Sequence, residues 1–311
     1  MARPVVLVLG SVNMDIVTLS RFPRPGETIT SDGFFTAPGG KGANQAVAAA
    51  RLEADARMIG RVGGDIFGAE LLKSLSSAGV NVSSILRDEQ HSSGLAIINV
   101  DPTGQNWIIL VPGANAACGQ RELDVLRALL PGASALLLQF EIPVDLSMKA
   151  ARLAQENGVR VILDPAPARS ILPEFYRLVH YLTPNESEAE SIVGFPVQDA
   201  GSAEKAAHEL LRRGAGCAVI KLGARGAFYA SGGESGFLPA FKVDAVDTVA
   251  AGDAFNAGLA VALSNGKPLR DAVRWGMAAG AIAVTRPGAQ QAMPTHREVA
   301  EFLASRQSEN P

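Results

Sequence analysis

Short, largely apolar runs recur along the chain at 5–9, 57–60, 135–140, 159–163 and 218–222, and apolar residues at helical spacing fill the stretches between them. Runs of four to six residues suit strands covered on both faces, and their alternation with helices predicts a mostly parallel sheet. Several runs stop at glycine or a polar residue: Gly10-Ser11-Val12-Asn13, Gln139-Phe140-Glu141 and Asp164-Pro165. In open α/β sheets ligands gather at the carboxyl ends of the strands. Position alone therefore nominates Asn13, Asp15, Glu141 and Asp164.

Two segments break the alternation. The first is 28–37; the second is 94–111, where 95–100 and 107–111 flank the turn-rich Asp101-Pro102-Thr103-Gly104 and predict a β-hairpin. Neither has a neighbouring helix to cover it, so a small separate sheet is expected, as a lid over the site or as a contact with a second copy; a plain edge hairpin is the alternative. No fixed-period repeat, low-complexity tract or interdomain linker interrupts the chain, and the tail after Arg306 is expected to fray.

Composition narrows the function classes. At 311 residues and 47% hydrophobic the chain can bury a large core as one domain. Its 28 basic and 31 acidic residues form no long run of either sign, which excludes the electrostatic footprint of a nucleic-acid or membrane-surface binder and points to a small-molecule partner. Cys118 and Cys217 lack Cys-x-x-Cys spacing and read as buried free thiols. The run at 5–9 is too short for a signal-peptide core, and no stretch reaches the ~18 apolar residues of a membrane span, so a cytoplasmic chain is expected. His91, His180, His208 and His296 are scattered without ligand spacing, which argues against metal-hydrolase chemistry.

Two glycine-rich stretches open helices. In Gly39-Gly40-Lys41-Gly42-Ala43-Asn44, followed by Ala46, Val47 and Ala50, bare amides at a helix amino terminus suit an oxygen-rich or anionic ligand. Lys41 is either part of that site or a solvated charge. The G-x-x-x-x-G-K-[ST] spacing of a P-loop is absent. The second stretch runs from Asp247-Thr248-Val249-Ala250-Ala251 through Gly252-Asp253-Ala254-Phe255-Asn256-Ala257-Gly258. Here Asp253 is either an N-cap or a reactive carboxylate. A pair of such openings suits a donor phosphate facing an acceptor hydroxyl. A dinucleotide-binding Rossmann unit is set aside, because no G-x-G-x-x-G follows the first strand.

These two stretches, 39–52 and 247–258, resemble the two characteristic motifs of the ribokinase (PfkB) family of carbohydrate kinases. Gly10-Ser11-Val12-Asn13-Met14-Asp15, Pro112-Gly113-Ala114-Asn115, Asp164-Pro165-Ala166-Pro167-Ala168-Arg169, Thr183-Pro184-Asn185-Glu186-Ser187-Glu188 and Ala283-Val284-Thr285-Arg286 extend the likeness over nearly the whole chain. The resemblance implies a ribokinase-like three-layer α/β sandwich with a central, mostly parallel sheet. A single kinase domain would span 1–311, with a small β-sheet lid made by the inserted segments at about 16–37 and 94–112. It implies ATP-dependent phosphorylation of a free pentose, D-ribose at its 5-hydroxyl in the first instance, with Mg2+ as cofactor, K+ as activator and a homodimer formed through the lid. Deoxyribose, fructose or pseudouridine are alternative acceptors. A non-catalytic sugar-binding module is the alternative of another class, and it would have no need of Asp253 beside Gly252.

By the same resemblance, Asp253 is the base, with Ala250, Ala251 and Gly252 supplying amides to the transferred phosphate. Ser11, Val12, Asn13, Asp15, Gly39, Gly40, Lys41, Gly42, Ala43, Asn44 and Glu141 line the sugar side. Asn185 and the turn Lys221-Leu222-Gly223-Ala224-Arg225-Gly226 receive the nucleotide together with Gly252 and Met277, Glu188 serves Mg2+ through water, and Asp247, Val249, Ala283, Arg286 and Gly288 hold K+. The chain departs from relatives at Met277, where a polar side chain is common, and at Ala292, where some carry a serine beside the cation loop.

Overall fold

The apolar runs become the inner strands of one large sheet because each has two faces to bury. The structure, a computed structural model, describes residues 2–307. Its strands are β1 (Val5–Leu9), β2 (Asn13–Leu19), β3 (Gly33–Gly39), β4 (Asp55–Gly63), β5 (Asn81–Asp88), β6 (Gly94–Val100), β7 (Asn106–Val111), β8 (Ala135–Leu138), β9 (Arg160–Leu163), β10 (Tyr181–Leu182), β11 (Cys217–Lys221), β12 (Gly226–Ser231) and β13 (Ser235–Pro239). Helices are α1 (Lys41–Arg51), α2 (Ile66–Ser77), α3 (Gln120–Leu129), α4 (Val144–Glu156), α5 (Pro173–Tyr176), α6 (Glu186–Val193), α7 (Ala200–Arg212), α8 (Ala251–Ser264), α9 (Leu269–Ala283) and α10 (His296–Gln307). The tail expected to fray lies, from residue 308 on, outside the described residues.

The large sheet has the order β13-β12-β11-β10-β9-β8-β1-β4-β5. Pairing is parallel from β5 to β11 and antiparallel at β11-β12-β13. Alternation along the strands feeds two cores: Val6, Val8, Leu137, Ile162 and Val219 pack with α1, α2, α8, α9 and α10, while Leu7, Leu9, Leu136, Leu138 and Leu163 pack with α3 to α7. Three layers result, as expected. Truncating one of the wholly buried leucines, Leu136→Ala for example, costs roughly 2–5 kcal/mol at such positions.

The second sheet has the order β3-β2-β6-β7. The hairpin expected at 94–111 is present as β6 and β7, closed by Asp101, whose Oδ1 accepts from the Thr103 and Gln105 amides at 2.8 and 3.0 Å. Its companion segment is longer than expected. β2 starts at Asn13 rather than at 16 and β3 runs to Gly39, so Asn13, Asp15 and Gly39, expected on the sugar side, are themselves part of the small sheet. The reason is the parallel pairing of β2 with β6, a contact between residues about 80 apart that has no local signature. One face of this sheet is strongly apolar and open, with Phe34, Trp107 and Ile109 each more than half exposed. Strands β5, β10, β12 and β13 were likewise not expected: β10 has two residues, and β5 is covered on one side only.

Cys118 and Cys217 are buried and unpaired, as expected. Among the described residues no helix is long and apolar enough to cross a membrane.

Candidate active site

At the end of β1 the backbone must pass close to α1. A Cβ on Gly42 would lie 2.7 Å from the Gly10 carbonyl carbon, so only glycine lets the helix opening abut the strand end. Gly40 precedes the helix at φ 90, which again calls for glycine. This wedge presents the residues expected on the sugar side. Glu141 Oε2 accepts from Ser11 Oγ at 2.5 Å, from Asn13 Nδ2 at 3.5 Å and from the Lys41 amide at 3.2 Å. Asn13 Oδ1 accepts from Asn115 Nδ2 at 2.7 Å, and Asn115 Oδ1 accepts from the Val12 amide at 2.9 Å. The Asp15 carboxylate lies against Gly39 and receives no hydrogen bond from the described residues. Burial, with the neighbouring charges of Glu141 and Asp253, pushes Asp15 up to about 7. A partly buried carboxylate without a donor is prepared to accept from hydroxyls.

Asp253 is the third residue of α8, which starts after Ala250, a non-glycine residue at φ 58. It is therefore not the N-cap. The carboxylate is 4% exposed and accepts from Asn44 Nδ2 and Gln45 Nε2, both at 3.0 Å. Burial is the main reason its pKa is pushed up to about 6, against the opposing pull of Lys41. Lys41 is no solvated charge either. Burial favours its neutral form, yet the carboxylates of Asp253, Asp164, Glu141 and Glu188 together hold its pKa above the ordinary lysine value. At the opening of α8 the Ala251 amide reaches the Thr248 carbonyl at a long 3.4 Å, whereas the Gly252 and Asp253 amides find no acceptor among the described residues. The Ala250 amide also finds no acceptor among the described residues, so of the three amides expected here Ala250 and Gly252 are free, and the Asp253 amide joins them.

Where the resemblance places the nucleotide, Asn185 caps α6 and exchanges bonds with Glu188: Asn185 Oδ1 accepts from the Glu188 amide at 2.9 Å, and Glu188 Oε2 accepts from the Asn185 amide at 2.8 Å. Glu188 is buried, and burial first, then Asp164, raises its pKa against the pull of Lys221. Lys221 ends β11 and donates from Nζ to Asp164 Oδ1 at 2.9 Å. The following turn leaves Gly223, Ala224 and Arg225 exposed, with Arg225 paired to Glu186 at 2.8 Å. Met277 on α9 packs half-buried against the core of the α8 face.

The loops 246–249 and 284–288 meet through Asp247, whose Oδ1 accepts from the Val249 amide at 3.0 Å and Oδ2 from the Gly288 amide at 2.9 Å. The Ala283 carbonyl accepts from the Arg286 amide at 3.2 Å, and the Arg286 side chain pairs with Glu298. Ala292 is buried just beyond.

Hydrogen bonds join Ser11, Asn13, Lys41 and Glu141 to one another and Asn44 to Asp253. The side chains of Val12, Ala43, Leu222 and Ala283 belong to the two cores, so only their main chains can face a ligand. Gln45 and Gln139 were not nominated, although Gln45 reaches Asp253 and Gln139 Nε2 donates to Gln45 Oε1 at 2.6 Å. The one available signal was a glutamine at a strand end and another inside a glycine-rich motif. Among the described residues no three His, Cys, Asp or Glu side chains converge to cage a metal ion.

Residues 4–296 match the model of the pfkB family carbohydrate kinases. The chain is 41% identical over 302 residues to the Haemophilus influenzae ribokinase, covering 97% of this chain and 99% of that protein. The solved structure of the Thermotoga maritima ribokinase is similar at a TM-score of 0.88 and 40% identity, covering 97% of this chain and 99% of that one. So is the Arabidopsis thaliana ribokinase complexed with ribose and ATP, at a TM-score of 0.89 and 32% identity, covering 97% and 99%.

Proposed function

Because the chain belongs to the pfkB family of carbohydrate kinases, we propose that it transfers the terminal phosphoryl group of ATP to the 5-hydroxyl of D-ribose, giving ribose 5-phosphate and ADP. The observation that carries the reading is Asp253: a buried carboxylate of raised pKa, aimed by Asn44 and Gln45, beside free amides at a helix opening. A carboxylate is too weak a base to make a sugar alkoxide in advance. In a loose transfer transition state it need only orient the hydroxyl and take its proton as the bond forms. Charge on the transferring oxygens then falls on the Gly252 and Asp253 amides and on Lys41. Asp15, Asn13, Asn44 and Glu141 accept and donate to the ring hydroxyls, and a sugar lacking one of those hydroxyls leaves a polar group unpaired.

The buried Glu188 carboxylate is a hard oxygen donor of the kind Mg2+ takes; it would hold the ion through water, and the ion would there neutralise phosphate charge. The Asp247 bridge fits K+, with Val249, Ala283, Arg286 and Gly288 offering main-chain carbonyls that would order the loop before α8. The open apolar face of the small sheet suits a homodimer through the lid, and two unpaired thiols suit a cytoplasmic enzyme.

The test is ADP release from ATP with a panel of ribose, deoxyribose, fructose and pseudouridine, the product identified by mass and NMR. Ribose should give the highest kcat/KM and a 5-phosphate; a higher value for any other acceptor replaces ribose as the substrate. No turnover of any sugar by folded protein that binds one would leave the sugar-binding module.

A further inference from the structure

A buried hydrogen-bonded chain runs from Asp253 through Gln45 and Asp164 to Lys221, and the transfer mechanism so far gives its last two members no role. Gln45, with no exposed surface, spans two carboxylates: Nε2 donates to Asp253 Oδ1 at 3.0 Å and to Asp164 Oδ2 at 3.2 Å. The other Asp164 oxygen accepts from Lys221 Nζ at 2.9 Å. Asp164 is 2% exposed, so its charge is held by these two partners rather than by solvent. An ammonium carries three donors, and the described residues engage one of those on Lys221. A Cβ built on Gly252 would lie 3.3 Å from Lys221 Nζ. The spare donors of the cation therefore sit beside the Gly252 amide, which also lacks an acceptor. Main-chain and side-chain donors converging on one spot call for an anion rich in acceptors, which a phosphoryl group is.

We propose, resting on the kinase reading, that Asp164 is a positioning residue: it holds the Lys221 ammonium at the opening of α8, where Lys221 contacts the transferring phosphoryl group, and through Gln45 it keeps Asp253 in register with it. The competing account is an ion pair that serves only to fill the interior. The two accounts separate when the pair is removed together, because a neutral pair leaves no unpaired buried charge.

The experiment compares Lys221→Met, Asp164→Asn and the double variant Asp164→Asn/Lys221→Met with the wild type. Lys221→Met should lower kcat on the order of 10²-fold, the scale for losing a donor to transition-state charge, with sugar KM nearly unchanged. Asp164→Asn should lower kcat by about 10-fold or more through misplacement of both groups. Each single variant should lower Tm, and the double variant should regain wild-type Tm without regaining kcat. Calorimetric binding of MgATP and of ADP without sugar gives a second readout: Lys221→Met should reduce the preference for ATP over ADP. Recovery of wild-type kcat in the double variant would overturn the proposal in favour of a filling ion pair. So would an ATP-over-ADP preference unchanged in Lys221→Met, or a wild type that binds no ATP. Failure of ribose as the acceptor would appear in the wild-type sugar panel and leave the binding ratio readable.

Discussion

Asp253 and Asp15 are both carboxylates with raised pKa, but the work each does predicts opposite costs. Asp253→Asn keeps the size of the side chain and can still orient a hydroxyl, yet it cannot take the proton. It should lower kcat by about 10²-fold or more with little change in ribose affinity, read by steady-state kinetics. If Asp253 is the base, burial that pushes its pKa up to about 6 predicts that wild-type kcat falls as pH drops below 6. For Asp15 the folded value of about 7 lies above the ~3.9 of an unfolded chain, so folding favours the protonated form. The associated stability is complete below about pH 4 and lost as pH rises through 7. Asp15→Asn should therefore raise Tm at pH 8 and make no difference near pH 3.5, while weakening ribose binding. A variant less stable than wild type at pH 8 would mean that the carboxylate is better satisfied than its lack of donors indicates.

At the scale of elements, the opening of α6 carries a capping box and, in the proposed function, the Mg2+ side of the reaction. Glu188 closes a capping box with Asn185, so Glu188→Ala should destabilise by about 1 kcal/mol, the usual cost of losing a cap. The same carboxylate is buried toward Lys221, Lys41 and Asp164 rather than turned to solvent. Hence Glu188→Ala should also raise the Mg2+ concentration needed for half-maximal rate, by more than it changes ribose KM. Denaturation and a Mg2+ titration of the same variant separate the two effects. A loss of stability with an unaltered Mg2+ requirement would reduce Glu188 to its cap.

For the whole molecule, the small sheet is rooted in the site. Gly94 of β6 lies so close to Asn13 and Asn115 that a Cβ there would meet Asn115 Nδ2 at 2.1 Å. Sugar bound at Asn13 should therefore be felt along the hairpin, and amide hydrogen exchange across 94–111 should slow on adding ribose, as closure excludes water from the transfer. Unchanged exchange would separate the lid from the sugar. Potassium in place of sodium at constant ionic strength should raise kcat, because Asp247 holds the Val249 and Gly288 amides in the loop that precedes α8 and its Gly252 amide. Equal rates in both salts would count against that cation site.

The sequence by itself determined the layered α/β architecture, because apolar runs of strand length, separated by helical spacing, have one economical way to cover both faces. Residues 5–9, 135–138 and 160–163 could be placed for that reason. It also determined the glycine-rich opening of α1, since φ at Gly40 and the close approach at Gly42 leave those positions little chemical choice. The root of the lid at Asn13 was hidden, because pairing of β2 with β6 joins distant residues through main-chain bonds that any side chain permits. So was the chain from Asp253 through Gln45 and Asp164 to Lys221. Its members lie up to 208 residues apart, and an amide or an ion pair acquires its partner only when separate strand ends are brought into hydrogen-bond reach. Burial, too, belongs to the tertiary structure: what moves Asp253 to about 6 is the exclusion of water by elements that meet only in the fold.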